Sequence, residues 1–315
     1  PMMMDFLDYG RRDPFSFVQH SGSYLQFVLR ADLSFESNLS EADIALLSAF
    51  SKEINNGKRV EDSIALKQII VSGVATYSSI REEVDLQFDY SPKQTVIESA
   101  FHNISLKFVT DTVAKRKVPL DEKLGYDVMI AEGDTCRPGH KLEALLSNPI
   151  FYKFLLDSTN YSISRWATSF SQSSLVDGFL LYEKYSRKDV FRVLNWEKNP
   201  VAQNVGGYQM STDKKDCAIF VNYDKSDHTL STQYIDEFVD EGQFQWMSKN
   251  RRRITSPEIL QFQNTENPTR LPLFVKKSND EGLDFYYMGE LTPIQESFEE
   301  TTIENGDGDK LPAVS

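Results

Sequence analysis

The sequence predicts an α+β protein, with an all-helical region over residues 1–160 and a mixed module over residues 161–315 that contains a small, curved, mainly antiparallel β-sheet or barrel. Three observations support this fold class. Apolar residues recur at helical spacing in the first half, and short β-type runs replace them in the second half. The chain length of 315 residues is also enough for about two domains of roughly 150 residues each.

The clearest helix signal lies after residue 39. Ser40 and Asp43 stand close to a capping-box spacing, apolar residues follow at helical intervals, and Gly57 occupies the position of a C-terminal glycine. Amphipathic patterns predict further helices over 61–71, 92–108 and 142–156. Pro149 is expected to kink or split the last of these. The polar, turn-rich stretch 114–139 is interpreted as a connector.

The second half changes its periodicity. Helices are predicted over 175–185 and 187–194, the latter with Ser186 as N-cap, and strands are predicted over 218–223, 271–276 and 285–291. The last two strands are joined by a polar, glycine-containing loop of hairpin length. Tyr286 and Tyr287 point to opposite faces of their strand, so one ring is expected in the core. Residues 296–310 are interpreted as an acidic loop and 311–314 as the start of a strand.

Composition excludes several classes of protein. Hydrophobic residues make up 40% of the chain and charged residues 26%, which is too apolar for a disordered chain and too charged for a membrane protein. No run of 18 apolar residues and no signal-peptide pattern occurs, so a cytoplasmic protein that binds no membrane is expected. Cys136 and Cys217 lie far apart without zinc-type spacing, which predicts no disulfide, metal site or cofactor. The opening Pro1 indicates either a chain cut from something longer or a residue left by a vector.

Catalytic motifs are missing from the sequence. The Gly57-Lys58 pair has no upstream glycine at the P-loop position, and neither a Gly-x-Ser-x-Gly elbow nor a His-x-Lys pattern occurs. Asp121-x-Lys123 and Asp213-x-Lys215 match part of a metal-dependent nuclease pattern, but they lie in turn-like sequence without an apolar strand. We therefore expect the chain itself to be non-catalytic.

The strongest binding signal is a basic segment in an acidic chain. The net charge is −13, yet residues 241–277 hold seven basic and three acidic residues, a net charge of +4, and residues 278–315 return to −9. Cations that neutralise phosphates, polar groups that hold the backbone and an indole that can stack on a base are the groups that nucleic-acid contact requires. The predicted DNA contacts here are Trp246, Ser248, Lys249, Asn250, Arg251, Arg252 and Arg253. Taken alone, Trp246 is more typical of a core residue.

A second group of predicted contacts is Arg187 and Lys188, which begin the helix capped by Ser186 and are expected to contact phosphates. Two shorter basic runs, Arg11-Arg12 and Lys115-Arg116-Lys117, are typical of solvated surface. The second of these lies in the predicted connector, from which it can also touch a duplex.

Several motifs in a fixed order carry a family resemblance. They lie at 182–196, 204–208, 220–225, 244–253, 273–277 and 285–289. Over roughly residues 175–315, this series resembles the C-terminal domain of unknown function of bacterial DEAD/DEAH-type superfamily II helicases. Many of those proteins carry a phospholipase D-like nuclease domain and occur in restriction or phage defence. Ser23-Tyr24, Leu46-Leu47 and 56–59 are similar to the helical region that precedes that domain.

The resemblance implies a non-catalytic C-terminal portion that helps a helicase engage DNA, because the nuclease and ATPase domains are missing from the sequence given. The implied partners are DNA and the helicase ATPase domains of the parent protein. By fold-level analogy with small curved sheets that read modified bases, the C-terminal module is also expected to read modified DNA. An alternative remains open, in which the chain is a protein-interaction or regulatory module that docks on the helicase core. A third possibility, a metal-dependent nuclease, requires a carboxylate cluster that the sequence does not show.

Overall fold

The computed structural model describes residues 2–5, 13–200, 207–223, 236–240, 242–304 and 310–315. Contacts divide the chain into two compact units. The helical unit comprises Pro1–Gln172 with Asn195–Asn199, and the sheet unit comprises Ser173–Leu194 with Pro200–Ser315. The division into folding domains at 1–160 and 161–315 stays a prediction. The α+β fold class, with helices in the N-terminal part and a curled sheet in the C-terminal part, is confirmed.

The helical unit contains α1 (Phe15–Ser21), α2 (Tyr24–Ala31), α3 (Glu41–Ala49), α4 (Val60–Ser72), α5 (Tyr77–Phe88), α6 (Gln94–Ile104), α7 (Leu120–Leu124), α8 (His140–Leu146) and α9 (Pro149–Gln172). The capping box predicted for α3 is confirmed. The Asp43 N–H donates to Ser40 Oγ, and the Ser40 N–H donates to the Asp43 carboxylate at 3.1 Å. Helix α3 continues as a π-helical turn, Phe50–Ile54, and Gly57 follows with a φ of +72°. Pro149 begins α9 and separates it from α8, so the predicted split is confirmed.

Helix α4 is central to the core of the helical unit. Ile64, Leu66 and Ile69 are fully buried, as expected for a helix that is apolar on most of its faces. The helix packs against α5, α6 and α9. Its first turn is anchored by Arg59, which is 3% exposed, forms an ion pair with Asp62 at 3.2 Å and donates to Asn195 Oδ1 at 2.7 Å.

The predicted connector 114–139 is wrong, because this stretch contains three strands and the short helix α7. Strands β2 (Thr110–Val113) and β3 (Arg116–Pro119) pair as a hairpin, and β4 (Met129–Glu132), β5 (Thr135–Pro138) and β1 (Ala75–Thr76) form an antiparallel sheet in the order β1-β5-β4. The β2–β3 turn has Ala114 and Lys115 at φ of 47° and 67°, the left-handed pair that a two-residue hairpin turn requires. Because both sides of β2–β3 are largely exposed and polar, the apolar alternation that marks a strand is missing.

The sheet unit is built on a five-stranded sheet. Its strands are β8 (Lys184–Tyr185), β9 (Tyr208–Met210), β10 (Cys217–Asn222), β13 (Leu271–Lys276) and β14 (Phe285–Leu291), in the order β8-β14-β13-β10-β9. Strands β10 and β13 are parallel, and the other neighbours are antiparallel. The three strands predicted at 218–223, 271–276 and 285–291 are thereby confirmed, as is the hairpin between the last two.

The helix predicted over 175–185 is wrong. Strands β6 (Leu175–Val176) and β7 (Phe179–Leu180) form a hairpin there, followed by β8. Asp177 and Gly178 have positive φ, and Asp-Gly between two apolar pairs is a strong hairpin signal that helical spacing obscured. The next helix, α10 (Arg187–Val193), is confirmed, since the Asp189 N–H donates to Ser186 Oγ.

The two faces of the sheet carry different cores. One face is aromatic, and it holds Phe220, Phe274, Phe285 and Tyr287 together with Phe179 and Tyr185. The other face packs Ile219, Val221 and Leu273 against helix α11 (Pro257–Phe262). Tyr287 is fully buried, whereas Tyr286 is partly exposed, so the predicted alternation is confirmed.

Two further hairpins complete the unit: β11 (Glu237–Phe238) with β12 (Phe244–Gln245), and β15 (Glu300–Glu304) with β16 (Lys310–Val314). The prediction of a loop over 296–310 is therefore wrong at β15, and the strand predicted from residue 311 is confirmed within β16. Among the described residues, no helix is both long and apolar enough to cross a membrane.

Candidate nucleic-acid interface

Trp246 lies against the core of the sheet unit. Its half-buried ring meets Tyr208 edge-on, with centroids 4.9 Å apart, and it also contacts Phe262. A ring held in this way supports the strand that leads to the basic residues. Contact with DNA stays a prediction for Trp246, as it does for the other eight site residues named above.

Ser248 is buried, with 1% of its surface exposed. Its N–H donates to the Val314 carbonyl at 2.8 Å, and its hydroxyl accepts the Val314 N–H at 2.9 Å. The hydroxyl itself donates to the Lys249 carbonyl. Ser248 therefore fastens the basic segment to strand β16, and its polar atoms are used within the protein.

Lys249 and Asn250 are both half-buried. The Lys249 ammonium lies 4.4 Å from the centroid of the Tyr208 ring, a cation–π contact. Burial lowers the pKa of Lys249, and the Glu258 carboxylate counteracts that shift. The Lys249 side chain is therefore partly buried against the protein and partly exposed to solvent.

The three consecutive arginines differ from one another. Arg251 is exposed and has a φ of 61°, so the chain turns at this residue. Arg252 donates through Nε to the Glu258 carboxylate, which also accepts the Tyr208 hydroxyl proton, and the hydrogen bond to Glu258 raises the pKa of Arg252. Arg253 lies 3.7 Å from the Glu300 carboxylate. Two of the three arginines therefore have a carboxylate of the same unit beside them.

A shallow cleft adjoins these arginines. It is lined by Met210, Lys214, Arg252, Ser256, Pro257 and Glu258. Ser256 also accepts the Arg253 N–H at 2.9 Å, which fixes the turn that follows the arginines. The cleft combines two cationic side chains with a hydroxyl, groups that can hold a phosphate oxygen.

Arg187 stands at the start of α10, and its guanidinium lies over the aromatic face of the sheet. Its Cζ is 5.0 Å from the centroid of the Phe285 ring and 5.2 Å from that of Phe220. The Nε atom is buried and has no hydrogen-bond partner within the described residues. Burial lowers the pKa of Arg187.

The acidic residue nearest in sequence does not neutralise Arg187. Asp189 accepts the Ser186 hydroxyl proton at 2.6 Å and forms an ion pair with Arg192 at 3.2 Å. Its carboxylate is therefore committed to the cap and to another arginine. Lys188, the second residue predicted here, is half-buried.

The structure brings Lys276 to the same aromatic ring. Its ammonium is 5.0 Å from the centroid of Phe285 and donates to the Gly282 carbonyl at 3.2 Å. Lys276 is 8% exposed, burial lowers its pKa, and Arg187 lowers it further while Glu281 opposes the shift. We refer to these two residues as the Arg187–Lys276 pair. Sequence reasoning counted Lys276 among the basic residues of 241–277 but did not place it beside Arg187.

The other chemistry-bearing residues that the structure describes do not come together in a site. Cys136 and Cys217 are buried free thiols, and burial raises the pKa of Cys136 to about 12. Asp213 pairs with Lys215 at 3.1 Å. Within the described part of the chain, no group of three His, Cys, Asp or Glu side chains is placed to hold a metal ion.

Comparisons with known proteins give two family matches. Residues 1–168 match DUF8090 and residues 179–315 match DUF3427, each described as a domain of unknown function. A search of curated proteins gives no match. Among solved structures, the chain is similar to the sulfur-binding domain and SRA domain of ScoMcrA complexed with phosphorothioated DNA, with 11% identity, 84% of this chain and 88% of that chain covered, and a TM-score of 0.26. A TM-score this low does not show a shared fold.

The C-terminal match covers nearly the same residues as the domain of unknown function that the motifs of the sequence resemble. The N-terminal match covers more than half of the chain and includes every helix from α1 to α8. The chain therefore belongs to the DUF8090 family, and its C-terminal part matches DUF3427.

Proposed function

We propose that the sheet unit is a DNA-binding module that holds a backbone phosphate with the Arg187–Lys276 pair. The observation that supports it best is the position of both cations at the Phe285 ring, with the buried Arg187 Nε lacking an acceptor. An anion at this position would supply the missing acceptor for Arg187 Nε and a negative charge beside the two cations.

The energetic reason is the cost of burying charge. A partly desolvated cation destabilises a fold unless an anion or acceptors compensate it, and two neighbouring cations increase that cost by repulsion. Here the Lys276 ammonium has one carbonyl acceptor, and the Arg187 Nε has none within the described residues. A phosphodiester has two non-bridging oxygens that share one negative charge, and they suit the planar donor array of a guanidinium.

The basic segment would supply the second part of the contact surface. Arg251 is exposed, and Arg252 and Arg253 can exchange their carboxylate partners for phosphates in a salt-dependent way. Lys249 and Asn250 would flank the backbone, Trp246 and Ser248 would position the segment from below, and Lys188 would add a charge beside Arg187.

The wider role rests on the resemblance of the sequence motifs. In this proposal the chain is a non-catalytic C-terminal portion of a superfamily II helicase-like protein of restriction or phage defence. The module would engage DNA for the ATPase domains of that protein and would select modified DNA where the parent requires it. The alternative is that the chain docks on the helicase core and does not contact DNA. The experiment must distinguish this role from DNA binding.

The test is DNA binding by the full chain, measured by fluorescence anisotropy on plain, mismatched and base-modified duplexes at about 50 and 200 mM salt. Arg187→Gln with Lys276→Gln should weaken binding about tenfold or more and reduce the salt slope by about 1, since the pair holds one phosphate and each phosphate contact contributes about 0.9. Lys215→Gln is the matched control, because its side chain is 79% exposed and pairs with Asp213.

Unchanged affinity in the double variant, with an unchanged circular dichroism spectrum, would show that the pair does not contact DNA. Wild-type chain that captures the purified ATPase domains of the parent but binds none of the duplexes would establish the docking role instead.

A further inference from the structure

The β2–β3 hairpin of the helical unit carries a cluster of cations that the proposed function does not use. Its register pairs Val113 with Arg116 and Thr112 with Lys117, and Ala114-Lys115 form the turn. All residues from 112 to 117 are exposed. We call residues 110–119 the β2–β3 finger.

Lys117 is attracted by the nearby Asp111 carboxylate, but the cations of the finger have no ion-pair partner among the described residues. Within the described residues, the side chains of Lys115, Arg116 and Lys117 form no ion pair. The carboxylate at the base of the finger, Asp111, is held by Lys123 at 2.6 Å. Three adjacent like charges repel one another, and packing gives no reason to keep them at an exposed turn.

The cross-strand pairs sort these residues into two sides. Residues that lie opposite each other in a hairpin point to the same side of the ribbon. Arg116 and Val113 therefore share one side, and Lys117 and Thr112 share the other. One side offers a guanidinium with an isopropyl group, and the other offers an ammonium with a hydroxyl.

We propose that the β2–β3 finger enters the major groove of duplex DNA. The groove is about 12 Å wide and admits a two-stranded β-ribbon. Arg116 matches the acceptor edge of guanine, Val113 matches the methyl group of thymine, and Lys115 and Lys117 reach the phosphates that border the groove.

The composition of the finger favours duplex DNA over other nucleic acids. Residues 110–119 contain no aromatic side chain, whereas single-strand binding sites stack bases on aromatic rings. Double-stranded RNA has a deep, narrow major groove that side chains cannot read. B-form DNA therefore fits the ribbon best.

This inference rests on the proposed function only in that the protein meets DNA, since the finger and the Arg187–Lys276 pair share no residue and belong to different units. The experiment compares three variants of the full chain on the same fluorescent duplex. They are the finger variant (Lys115→Ser, Arg116→Ser, Lys117→Ser), the double variant Arg187→Gln with Lys276→Gln, and a control (Lys52→Ser, Lys93→Ser, Lys153→Ser).

The control removes the same charge from exposed positions of the same unit. We expect the finger variant to bind about tenfold more weakly, with a salt slope reduced by about 1 to 3, and the control to bind within about twofold of wild type. Equal losses in the finger variant and the control would show a general charge effect and overturn the inference. Loss of affinity only in the Arg187/Lys276 variant would overturn the finger and support the proposed function. Loss of affinity only in the finger variant would support the finger and overturn the Arg187–Lys276 pair as a DNA contact.

A second measurement tests the groove. On a duplex whose pyrimidines carry bulky C5 substituents, which fill the major groove, wild type and the finger variant should bind equally. A wild-type advantage that persists on this duplex would exclude major-groove entry. Vesicles that contain acidic lipids form the last arm: if the finger variant loses vesicle binding but keeps duplex affinity, the finger is a membrane contact. Because the substituted side chains are exposed, the thermal melting of the finger variant should match that of wild type.

Discussion

The guanidinium of Arg252 donates a hydrogen bond to the carboxylate of Glu258, so the middle of three consecutive arginines carries its own counter-ion. The pair lines the cleft that also includes Lys214 and Ser256. A charge count along the segment treats all three arginines as free, whereas the structure leaves Arg251 as the one with no carboxylate partner among the described residues.

Removal of the Glu258 charge should therefore strengthen DNA binding. Glu258→Gln releases Arg252 to a phosphate, and we expect affinity to rise about threefold to tenfold with a salt slope steeper by about 1. Glu266→Gln is the control, because Glu266 is exposed and lies in the same basic segment. An affinity of Glu258→Gln below that of wild type would show that the carboxylate positions the arginine for binding.

The buried charge of Lys276 should lower the free energy of unfolding, although the residue takes part in the proposed DNA binding. Replacing a buried cation that lacks a carboxylate partner by an apolar residue of similar length is neutral or stabilising. We expect Lys276→Met to raise the free energy of unfolding by about 0 to 2 kcal/mol in urea denaturation and to weaken DNA binding. Lys277→Met is the matched control at an exposed neighbouring position. Destabilisation by more than about 2 kcal/mol would instead assign Lys276 a structural role through its bond to Gly282.

Replacing Arg59 should have the opposite effect on stability, because its charge is balanced by a carboxylate inside the helical unit. It pairs with Asp62, which is fully buried, and donates to Val96 and Asn195. Arg59→Met leaves the Asp62 carboxylate buried without its cation, so we expect a loss of about 3 to 5 kcal/mol in the free energy of unfolding. Arg81→Met, which removes a largely exposed arginine from the same unit, should cost less than about 1 kcal/mol.

Stability of the helical unit should depend on pH through His102. Burial lowers the pKa of His102 below its ordinary value of 6.5, and its Nε2 lies 2.8 Å from the Glu197 carbonyl. Between the folded and the unfolded pKa, the unfolded chain binds more protons, so the free energy of unfolding falls as pH drops below about 6.5.

The measurement is urea denaturation at about pH 7 and pH 5.5, a window that spans the ordinary histidine pKa. His102→Gln should lose less stability than wild type over this interval. His140→Gln is the control, because the His140 side chain is fully exposed, and its loss should equal that of wild type. An equal pH dependence in His102→Gln and wild type would show that other groups cause the acid destabilisation.

Local signals in the sequence were sufficient for much of the fold. The capping pair Ser40 and Asp43, the break at Pro149 and the N-cap Ser186 each act within a few residues, so they can be recognised without the tertiary structure. The Asp177-Gly178 turn could be recognised in the same way, but the apolar residues around it also fit helical spacing, and a helix was predicted instead. The polar β2–β3 finger gave no periodic signal, because neither of its sides is buried.

The candidate site could be predicted only in part, because its electrostatics depend on distant residues. Glu300 accepts the Ile254 N–H and lies beside Arg253 although it is far along the chain. Lys276 and Arg187 meet at the Phe285 ring because β14 pairs with β13 on one side and with β8, which ends two residues before Arg187, on the other. Sequence spacing does not indicate which of these distant residues come into contact in the folded chain.

The parallel pairing of β10 with β13 has a kinetic consequence. These strands are separated by a long excursion of the chain, and entropy must be lost to close that loop before the pairing contributes any stability. Phe220, the second ring that Arg187 contacts, lies opposite Phe274 in this parallel pair and joins the aromatic face when the closure is complete. A partly folded chain without this pairing therefore lacks the Phe220 ring beneath Arg187, and the aromatic face that holds the guanidinium is complete only after the long loop has closed.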